Sequence, residues 1–121
     1  MAPRSADARR KAFRRGHVSE YLAAFSLLLR GYRIAAMRYR AKSGEVDIIA
    51  RKGDVIHFIE VKARASTDES VFAVDGQTQN RIRNASMAWI GRQKNMRAMS
   101  YSYDIIAVRP WRWPVHLRDA F

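Results

Sequence analysis

The feature that most limits how this chain can fold is a pair of apolar, β-branched runs joined by two turn residues. Residues 46–50 and 55–63 are rich in valine and isoleucine, and Gly53-Asp54 between them suits a type II′ hairpin turn. A hairpin closed by these two residues places residues whose numbers sum to 107 opposite one another. Because both of its faces carry apolar side chains, we expect this hairpin at the centre of a sheet that is covered on both faces.

Two carboxylates stand inside this apolar hairpin. In the same register Asp47 lies opposite Glu60, and directly opposed side chains have Cβ atoms about 4.5–5.5 Å apart. Side chains alternate along a strand, so Glu45 and Lys62 fall on the face of the two carboxylates. Carboxylates this close need a shared proton, a cation such as Lys62 or a hard divalent metal ion. We expect Ile49, Ile56 and Phe58 on this same face, and Val46, Ile48, Ile59 and Val61 on the other.

A first helix is predicted from residue 18, where six large apolar residues recur at helical spacing and Gly31 supplies a stop. We expect this stripe to face the core. Glu20 lies on the same helix, whose other side is also apolar and leaves little exposed face. The stripe comprises Val18, Tyr21, Leu22, Phe25, Leu28 and Leu29, and the other side carries Ala23, Ala24 and Leu27.

The remaining segments complete a small layered fold. A strand over residues 32–40 runs into a turn at 41–44, and a second amphipathic helix around Ile82 and Trp89 follows a polar stretch at 64–76. A strand at 103–108 and an alternating edge strand at 111–117 end the chain. The order α-β-β-β-α-β-β predicts an α/β fold with a central mixed sheet of four to five strands flanked by helices.

Charge indicates the kind of partner. Twenty-three Lys and Arg against eleven Asp and Glu leave a formal net charge of +12, which favours phosphate polymers or another anionic surface. A solvated basic surface is the competing interpretation of the charge alone. Residues 1–15 hold six basic side chains and are expected to form a basic, flexible arm ahead of a single domain over residues 16–121.

Several classes of site are disfavoured. The chain has no cysteine, which removes disulfides and thiolate metal ligands. Its histidines, His17, His57 and His116, lack ligand spacing, and His57 is expected to pack on the face opposite the carboxylates. No serine stands beside a base, and no phosphate-binding glycine loop is present. Trp111 and Trp113 flank Arg112, a pattern that packing explains more often than base stacking.

The apolar run at residues 21–29 is the segment to consider as a membrane span or a signal peptide. It is too short to span a bilayer and lacks a small-residue cleavage site, so we expect a cytoplasmic protein.

Asp47 followed by Glu60-x-Lys62 resembles the active-site signature of the PD-(D/E)xK, or restriction-endonuclease-like, nucleases. More narrowly, the chain from residue 16 onward resembles the YraN-type family of small bacterial proteins. This resemblance implies a restriction-endonuclease-like core, similar to that of archaeal Holliday-junction resolvases. The matching segments are Glu20-x-x-Ala23, Gly31-Tyr32, Gly44 to Ala50, Phe58 to Arg64, Tyr103 to Val108 and His116 to Phe121.

The resemblance also implies roles for individual residues. Asp47 and Glu60 would bind Mg²⁺, for which Mn²⁺ can substitute, together with the backbone carbonyl of Val61. Lys62 would position or deprotonate the attacking water or stabilise charge on the phosphate. Glu20 would be a further metal ligand or hold the water.

Three positions on the elements around these residues depart from the family pattern or match it weakly. Gln79 is the candidate for the helix-borne glutamine that some of these nucleases use, although no tyrosine stands four residues on. Thr78 stands where the family usually has a basic residue, and Arg38 where an Asn is common. These departures leave the metal ligands in place and affect the substrate contacts.

The sequence therefore predicts a Mg²⁺-dependent endonuclease that hydrolyses DNA phosphodiester bonds. Junction or branched DNA, and a homodimer that would supply two sites, follow from the resemblance. One alternative is a nucleic-acid-binding module of the same fold that does not cut, and another is an interaction protein whose acidic cluster is structural. The basic side chains expected to contact nucleic acid are Arg14, Arg15, Arg40, Lys42, Arg64 and Arg81.

Overall fold

A five-stranded mixed sheet flanked by two helices forms the protein. The computed structural model describes residues 6–63 and 74–121, with side chains of the first helix from residue 17 onward. The α-β-β-β-α-β-β order predicted from the sequence is confirmed, and it is consistent with a restriction-endonuclease-like fold. The elements are α1 (Ala6–Leu29), β1 (Arg33–Ala41), β2 (Gly44–Lys52), β3 (Val55–Ala63), α2 (Gly76–Gly91), β4 (Ser100–Val108) and β5 (Val115–Leu117).

The strands lie in the sheet in the order in which they occur along the chain. Strands β1, β2 and β3 form an antiparallel meander, β3 and β4 are parallel, and β4 and β5 are antiparallel. Since parallel neighbours need a crossover, α2 lies on the connection from β3 to β4. Strands β2 and β3 therefore occupy the interior of the sheet, as the apolar pattern predicted.

The predicted hairpin register is confirmed. Lys52 pairs with Val55 at the turn, and the same register continues to the pair Ile48 and Ile59. Gly53 has φ of +60°, and Asp54 is not among the positive-φ residues. This combination fits a type II′ turn, which requires a positive φ at its first central residue.

Each face of the sheet carries its own core. The face covered by α2 buries Ile49, Ile56 and Phe58 together with Ile82 and Trp89 of the helix. The face covered by α1 buries a second set, formed by Ala23, Ala24, Leu27, Tyr32, Ile48, Ala50, Ile59, Ile106 and Val108. The expectation that both faces of the hairpin are covered is confirmed.

Strict alternation fails at one point in β2. Val46 was expected beside Ile48 but packs on the α2 face with Ile49, whereas Ile48 packs on the α1 face. The break falls at Asp47. Arg38 of the neighbouring strand β1 lies opposite Asp47, between two residues that pair with β2, and has φ of +51°. This left-handed conformation interrupts the regular pleat of β1 at the same level, and β1 changes face there too, since Met37 packs on the α1 face and Tyr39 on the α2 face.

The prediction for the orientation of α1 was wrong. The six large residues of its apolar stripe are 47–61% exposed, whereas Ala23 and Leu27 are fully buried against the sheet. Ser26, also buried, donates its hydroxyl hydrogen bond to the carbonyl of Ala23 at 2.7 Å. Small side chains let the helix backbone approach the sheet closely, so side-chain size decides which face is buried. We call Val18, Tyr21, Leu22, Phe25, Leu28 and Leu29 the α1 stripe.

Both ends of the chain also differ from expectation. Helix α1 begins at Ala6, so residues 6–15, expected as part of an arm, have a helical backbone. At the other end only Val115–Leu117 forms the edge strand, while Trp111 is fully exposed and Trp113 is more than half exposed. The packing interpretation of the two tryptophans was therefore wrong.

Neither helix, within the described residues, combines the length and apolar character needed to cross a membrane.

Gly44 sets how closely α2 approaches the β1–β2 turn. A Cβ at this position would overlap the backbone carbonyl oxygen of Arg81. Because that obstacle is backbone, only a shift of the helix or the turn could relieve the overlap. Glycine at position 44 therefore brings Arg81 of α2 against the start of β2.

We predict that Gly44→Ala destabilises the protein by about 1–3 kcal/mol, the usual cost of forcing extra atoms into a packed contact. Gly91→Ala is the matched control, since a Cβ there meets nothing within 4 Å and the φ of Gly91 is not positive. Urea unfolding followed by circular dichroism measures both variants. Equal stability of the two variants would contradict the close approach at Gly44.

Candidate active site

The two hairpin carboxylates meet where β2 and β3 stop pairing. Beyond the pair Ile48 and Ile59, the carboxylate of Asp47 accepts a hydrogen bond from the backbone N–H of Val61 at 2.8 Å. The carboxyl groups of Asp47 and Glu60 also lie close enough to change each other's pKa. The structure thus brings together the two residues that the register predicted to be neighbours.

Burial shapes the ionisation of this pair. Burial is the main cause that raises the pKa of Asp47 to about 6, and the charge of Glu20 raises it further. The hydrogen bond from the Val61 N–H acts in the opposite direction and lowers this pKa. Burial also raises the pKa of Glu60 to about 8, helped by the charge of Asp47 and opposed by Lys62. Near neutral pH the pair therefore holds one proton, carried mainly by Glu60, as closely opposed carboxyl groups do.

Lys62 lies beside this pair in a cavity between β3 and the start of α2. The cavity is lined by residues 60–63 of β3 and by Val74, Asp75 and Thr78. Asp75 caps the helix, because its carboxylate accepts the backbone N–H of Thr78 at 2.7 Å. Sequence reasoning missed Asp75, although an Asp directly before a helix is an N-cap signal.

Glu20 reaches the site from α1. Burial is the main cause that raises its pKa, opposed by the charge of Arg38, whose Nε lies 3.4 Å from Oε2 of Glu20. That buried oxygen has no hydrogen-bond partner. The charge of Glu20 acts on Asp47 and so contributes to its raised pKa. The structure therefore places all three acidic residues named by the sequence in one electrostatically linked group.

Arg38 connects this group to the surface of α1. Its guanidinium donates to the hydroxyl of Tyr21 at 3.0 Å and lies 5.4 Å from the centre of the same ring. Its left-handed φ is uncommon for a residue with a side chain and costs free energy. Asn, which the resemblance in sequence implies at this position, tolerates this conformation better.

Gln79 is engaged in a structural contact. Its side-chain amide donates to the carbonyl of Val74 at 2.8 Å, and its backbone N–H donates to the carbonyl of Asp75 at 2.9 Å. Both contacts fasten the first turn of α2 to the residues before it.

The predicted basic contacts divide into two groups. Arg40 and Arg81 both lie near Glu45, with closest N to O distances of 3.5 and 3.7 Å, and exposed Lys42 lies in the turn between them. Glu45 itself raises the pKa of Asp47 and Glu60, so this basic group borders the acidic site. Arg64 and the side chains of Arg14 and Arg15 lie outside the described residues.

A second polar cluster lies across β3, β4 and β5. Nδ1 of His57 and Nε2 of His116 lie 2.5 and 2.6 Å from Oδ2 of fully buried Asp104. The hydroxyl of Ser102 and the backbone N–H of Asp119 donate to Oδ1. Burial alone would raise the pKa of Asp104, but hydrogen bonds from His116, His57 and Ser102 outweigh it and hold this pKa far below its usual range.

This cluster corrects the expectation that the histidines are scattered. The ligand atoms of His57, Asp104 and His116 lie within 4.8 Å of one another and could hold a metal ion. Two ligands of a tetrahedral metal ion stand about 3.3 Å apart, as follows from metal-ligand bonds of about 2.0–2.1 Å. The 2.5–2.6 Å spacings between the histidine nitrogens and Oδ2 of Asp104 are shorter than this and correspond to hydrogen bonds, so the cluster is arranged as a network that joins three strands.

In protein freed of divalent cations, we predict that stability falls as pH rises from about 4 to about 8. Folded Asp47 and Glu60, with pKa values of about 6 and about 8, retain protons that the unfolded chain has released. The unfolded state thus binds fewer protons in this window, and the free energy of unfolding decreases with pH. The protonated pair therefore contributes its full stability at low pH. This contribution is lost as the pH rises through the pKa values that the two groups have in the folded protein.

Glu60→Gln should flatten this dependence and be more stable than wild type at pH 8 by at least about 1 kcal/mol, because one pKa unit corresponds to about 1.4 kcal/mol. Asp54→Asn, in the exposed turn, is the control and should keep the wild-type slope. Urea unfolding in EDTA across the pH range measures both. A wild-type slope in Glu60→Gln would contradict the shared proton.

Comparison with known proteins extends these observations. Residues 19–108 match the family described as "Uncharacterised protein family UPF0102". The chain is 58% identical to a UPF0102 protein of Sinorhizobium medicae over 99% of this chain and 98% of that protein. It is 60% identical to one of Sinorhizobium fredii over 92% and 91%, and 49% identical to one of Mesorhizobium japonicum over 100% and 97%. The chain therefore belongs to the UPF0102 family, the YraN-type proteins that its motifs resemble.

Proposed function

We propose that this protein is a Mg²⁺-dependent endonuclease that hydrolyses phosphodiester bonds in DNA. The observation that carries the proposal is the Asp47–Glu60 pair, two partly buried carboxyl groups that lie together beside Lys62 and whose pKa values are raised to about 6 and about 8. Such a pair is costly in a folded protein unless a cation replaces the proton. A site with raised carboxyl pKa values at the mouth of a cavity is also typical of functional sites.

The residues present fit a hard divalent cation. Carboxylate and carbonyl oxygens are the ligands that Mg²⁺ prefers, and Asp47, Glu60 and the backbone carbonyl of Val61 would supply them. The buried Oε2 of Glu20, which accepts no hydrogen bond, is available as a further oxygen ligand or as an acceptor for metal-bound water. No sulfur or imidazole belongs to this set, which favours Mg²⁺ or Mn²⁺ over softer metals.

Hydrolysis of a phosphodiester needs an activated water and neutralisation of the charge that develops on the phosphate. A bound cation would supply Lewis acidity at the phosphate oxygen. Lys62 would hold the attacking water or stabilise the phosphate, and Glu20 would orient the water. Asp47 is fixed for this task because the Val61 N–H holds its carboxylate.

The surroundings favour a polyanionic substrate. Arg40, Lys42 and Arg81 are exposed at the β1–β2 turn beside the acidic pair, and the whole chain carries a formal charge of +12. Positive charge around a small acidic site attracts phosphates by long-range steering. We propose DNA, with junctions or other branched forms as the preferred substrate, on the strength of the family resemblance.

Mg²⁺ or Mn²⁺ at millimolar concentration should raise the melting temperature at pH 7.5, because a ligand that binds only the folded state stabilises it. Asp47→Asn should abolish this rise, since an amide binds a hard cation poorly. Asp54→Asn is the matched control: it removes the same charge at the other end of the hairpin and should keep the rise. Differential scanning calorimetry with and without EDTA measures it, and an unchanged rise in Asp47→Asn would refute cation binding at this pair.

Purified protein with Mg²⁺ or Mn²⁺ should cleave branched DNA, and Lys62→Ala and Glu60→Gln should each lower the rate by roughly 100-fold or more, as loss of a catalytic group does. Lys52→Ala is the control, because Lys52 lies at the turn end of β2, where its ammonium donates to the carbonyl of Arg30. Gel assays on labelled duplex, four-way junction and single-stranded DNA measure the rates. Salt-sensitive binding without any cutting would instead support the non-cleaving binding module.

A further inference from the structure

The α1 stripe is a large apolar surface that nothing covers within the part of the chain that the structure describes. Its six side chains are 47–61% exposed. At roughly 100 Å² for each half-exposed large side chain, the stripe offers on the order of 600 Å² per molecule. Contiguous apolar patches of this size on a single chain mark interaction sites. We infer that the α1 stripe is the contact between two copies of this chain, packed about a twofold axis.

The spacing of the stripe is that of a two-helix seam. Val18, Tyr21 and Leu22 are followed seven residues later by Phe25, Leu28 and Leu29. This heptad repeat keeps one apolar seam facing a partner helix. The pattern is also self-complementary in an antiparallel pair, where Tyr21 of one copy meets Phe25 of the other and Val18 meets Leu28. A twofold axis requires this kind of surface, the same patch on both copies.

Charge favours a second copy over other occupants. Between residues 18 and 29 the only charged side chain is Glu20, which is largely buried and pairs with Arg38 at 3.4 Å. An uncharged stripe gives a phosphate backbone nothing to bind. Two chains of formal charge +12 repel each other elsewhere, so an uncharged face is where copies can meet at the least electrostatic cost.

The area is sufficient when the neighbouring tryptophans are included. A cavity next to the stripe is lined by Val18 and Leu22 together with Trp111 and Trp113, and Arg109 and Arg112 place basic side chains at its edge. The stripes of two copies bury on the order of 1,200 Å², and four tryptophans add several hundred more, which reaches the size of a specific interface of about 1,600 Å². Trp111 is fully exposed, so its ring can contribute to the edge of the interface.

The interface would also lie next to the acidic site. Tyr21 belongs to the stripe, and its hydroxyl accepts the hydrogen bond from Arg38, which pairs with Glu20. Contact between two copies would cover Tyr21 and remove water from this chain of contacts. The inference about the interface does not require nuclease activity, since it rests on α1 alone.

Replacing Phe25 and Leu29 together with Glu should turn a dimer into a monomer, because each copy would then place two buried charges in the seam. Met87→Glu is the control: Met87 is 68% exposed on α2, so the change adds one glutamate outside the stripe, compared with the two that the double variant adds within it. Sedimentation velocity should give a dimer for wild type and Met87→Glu and a monomer for the double variant. Circular dichroism checks that all three are folded.

Cross-linking through an introduced cysteine also tests the interface. Since the chain has no cysteine of its own, only the introduced thiol can react. Leu22→Cys should form a cross-linked dimer on mild oxidation or with a short bismaleimide, and Met87→Cys should not. Equal cross-linking of the two variants would overturn the assignment of the interface.

The effect of salt concentration distinguishes dimer formation from nucleic-acid binding. Raising NaCl from 0.1 to 1 M should tighten the dimer by screening the repulsion between copies, whereas it weakens binding to DNA. Wild-type protein that stays a monomer at 100 μM in both salts overturns the inference. Monomers that sediment with phosphatidylglycerol vesicles, and lose this with the Phe25→Glu and Leu29→Glu changes, would assign the stripe to a lipid surface instead.

Discussion

The carboxylate of Asp47 accepts the backbone N–H of Val61 at 2.8 Å, just beyond the last paired residues of β2 and β3. The side chain thereby takes a donor that would otherwise lack a strand partner, so β2 can leave β3 without exposing an unsatisfied N–H. Meanwhile β3 remains paired with β4 as far as Ala63. Glu60 and Lys62 therefore stand on a rigid strand at the point where its other edge opens, and the opening provides room for a ligand.

Coverage of both faces gives this opening its electrostatic character. Helix α1 lies on one face and α2 on the other, so the carboxyl groups of Asp47 and Glu60 are shielded from water and hold a proton that an exposed pair would release. Gly44 contributes because it lets Arg81 approach the start of β2. The same close packing brings positive charge next to the acidic pair. Burial and basic charge thus act on the site together, and each depends on how closely a helix approaches the sheet.

Local chemistry made the hairpin predictable. A glycine suited to the first turn position determines the register, and the register places Asp47 near Glu60. The buried face of α1 was not predictable in this way, because residues 21–29 of the helix are largely apolar on all sides and hydropathy alone cannot choose between Leu27 and Phe25. The cluster around Asp104 was not predicted for a different reason. Its histidines meet only because β3, β4 and β5 pair with one another, and the spacing of His57, Asp104 and His116 along the sequence does not indicate this contact.

The two sides of α1 suggest why its largest residues face outward. A helix that must bring Glu20 close to Asp47 needs small side chains against the sheet, and Ala23 and Ser26 provide them. Bulky residues on that side would hold the helix away and weaken the electrostatic link between the two carboxylates. Apolar bulk on the outer side adds nothing to a lone chain, because water covers it. It stabilises the protein only when a second surface removes that water, and a self-complementary seam in a strongly basic chain makes another copy the partner that fits best.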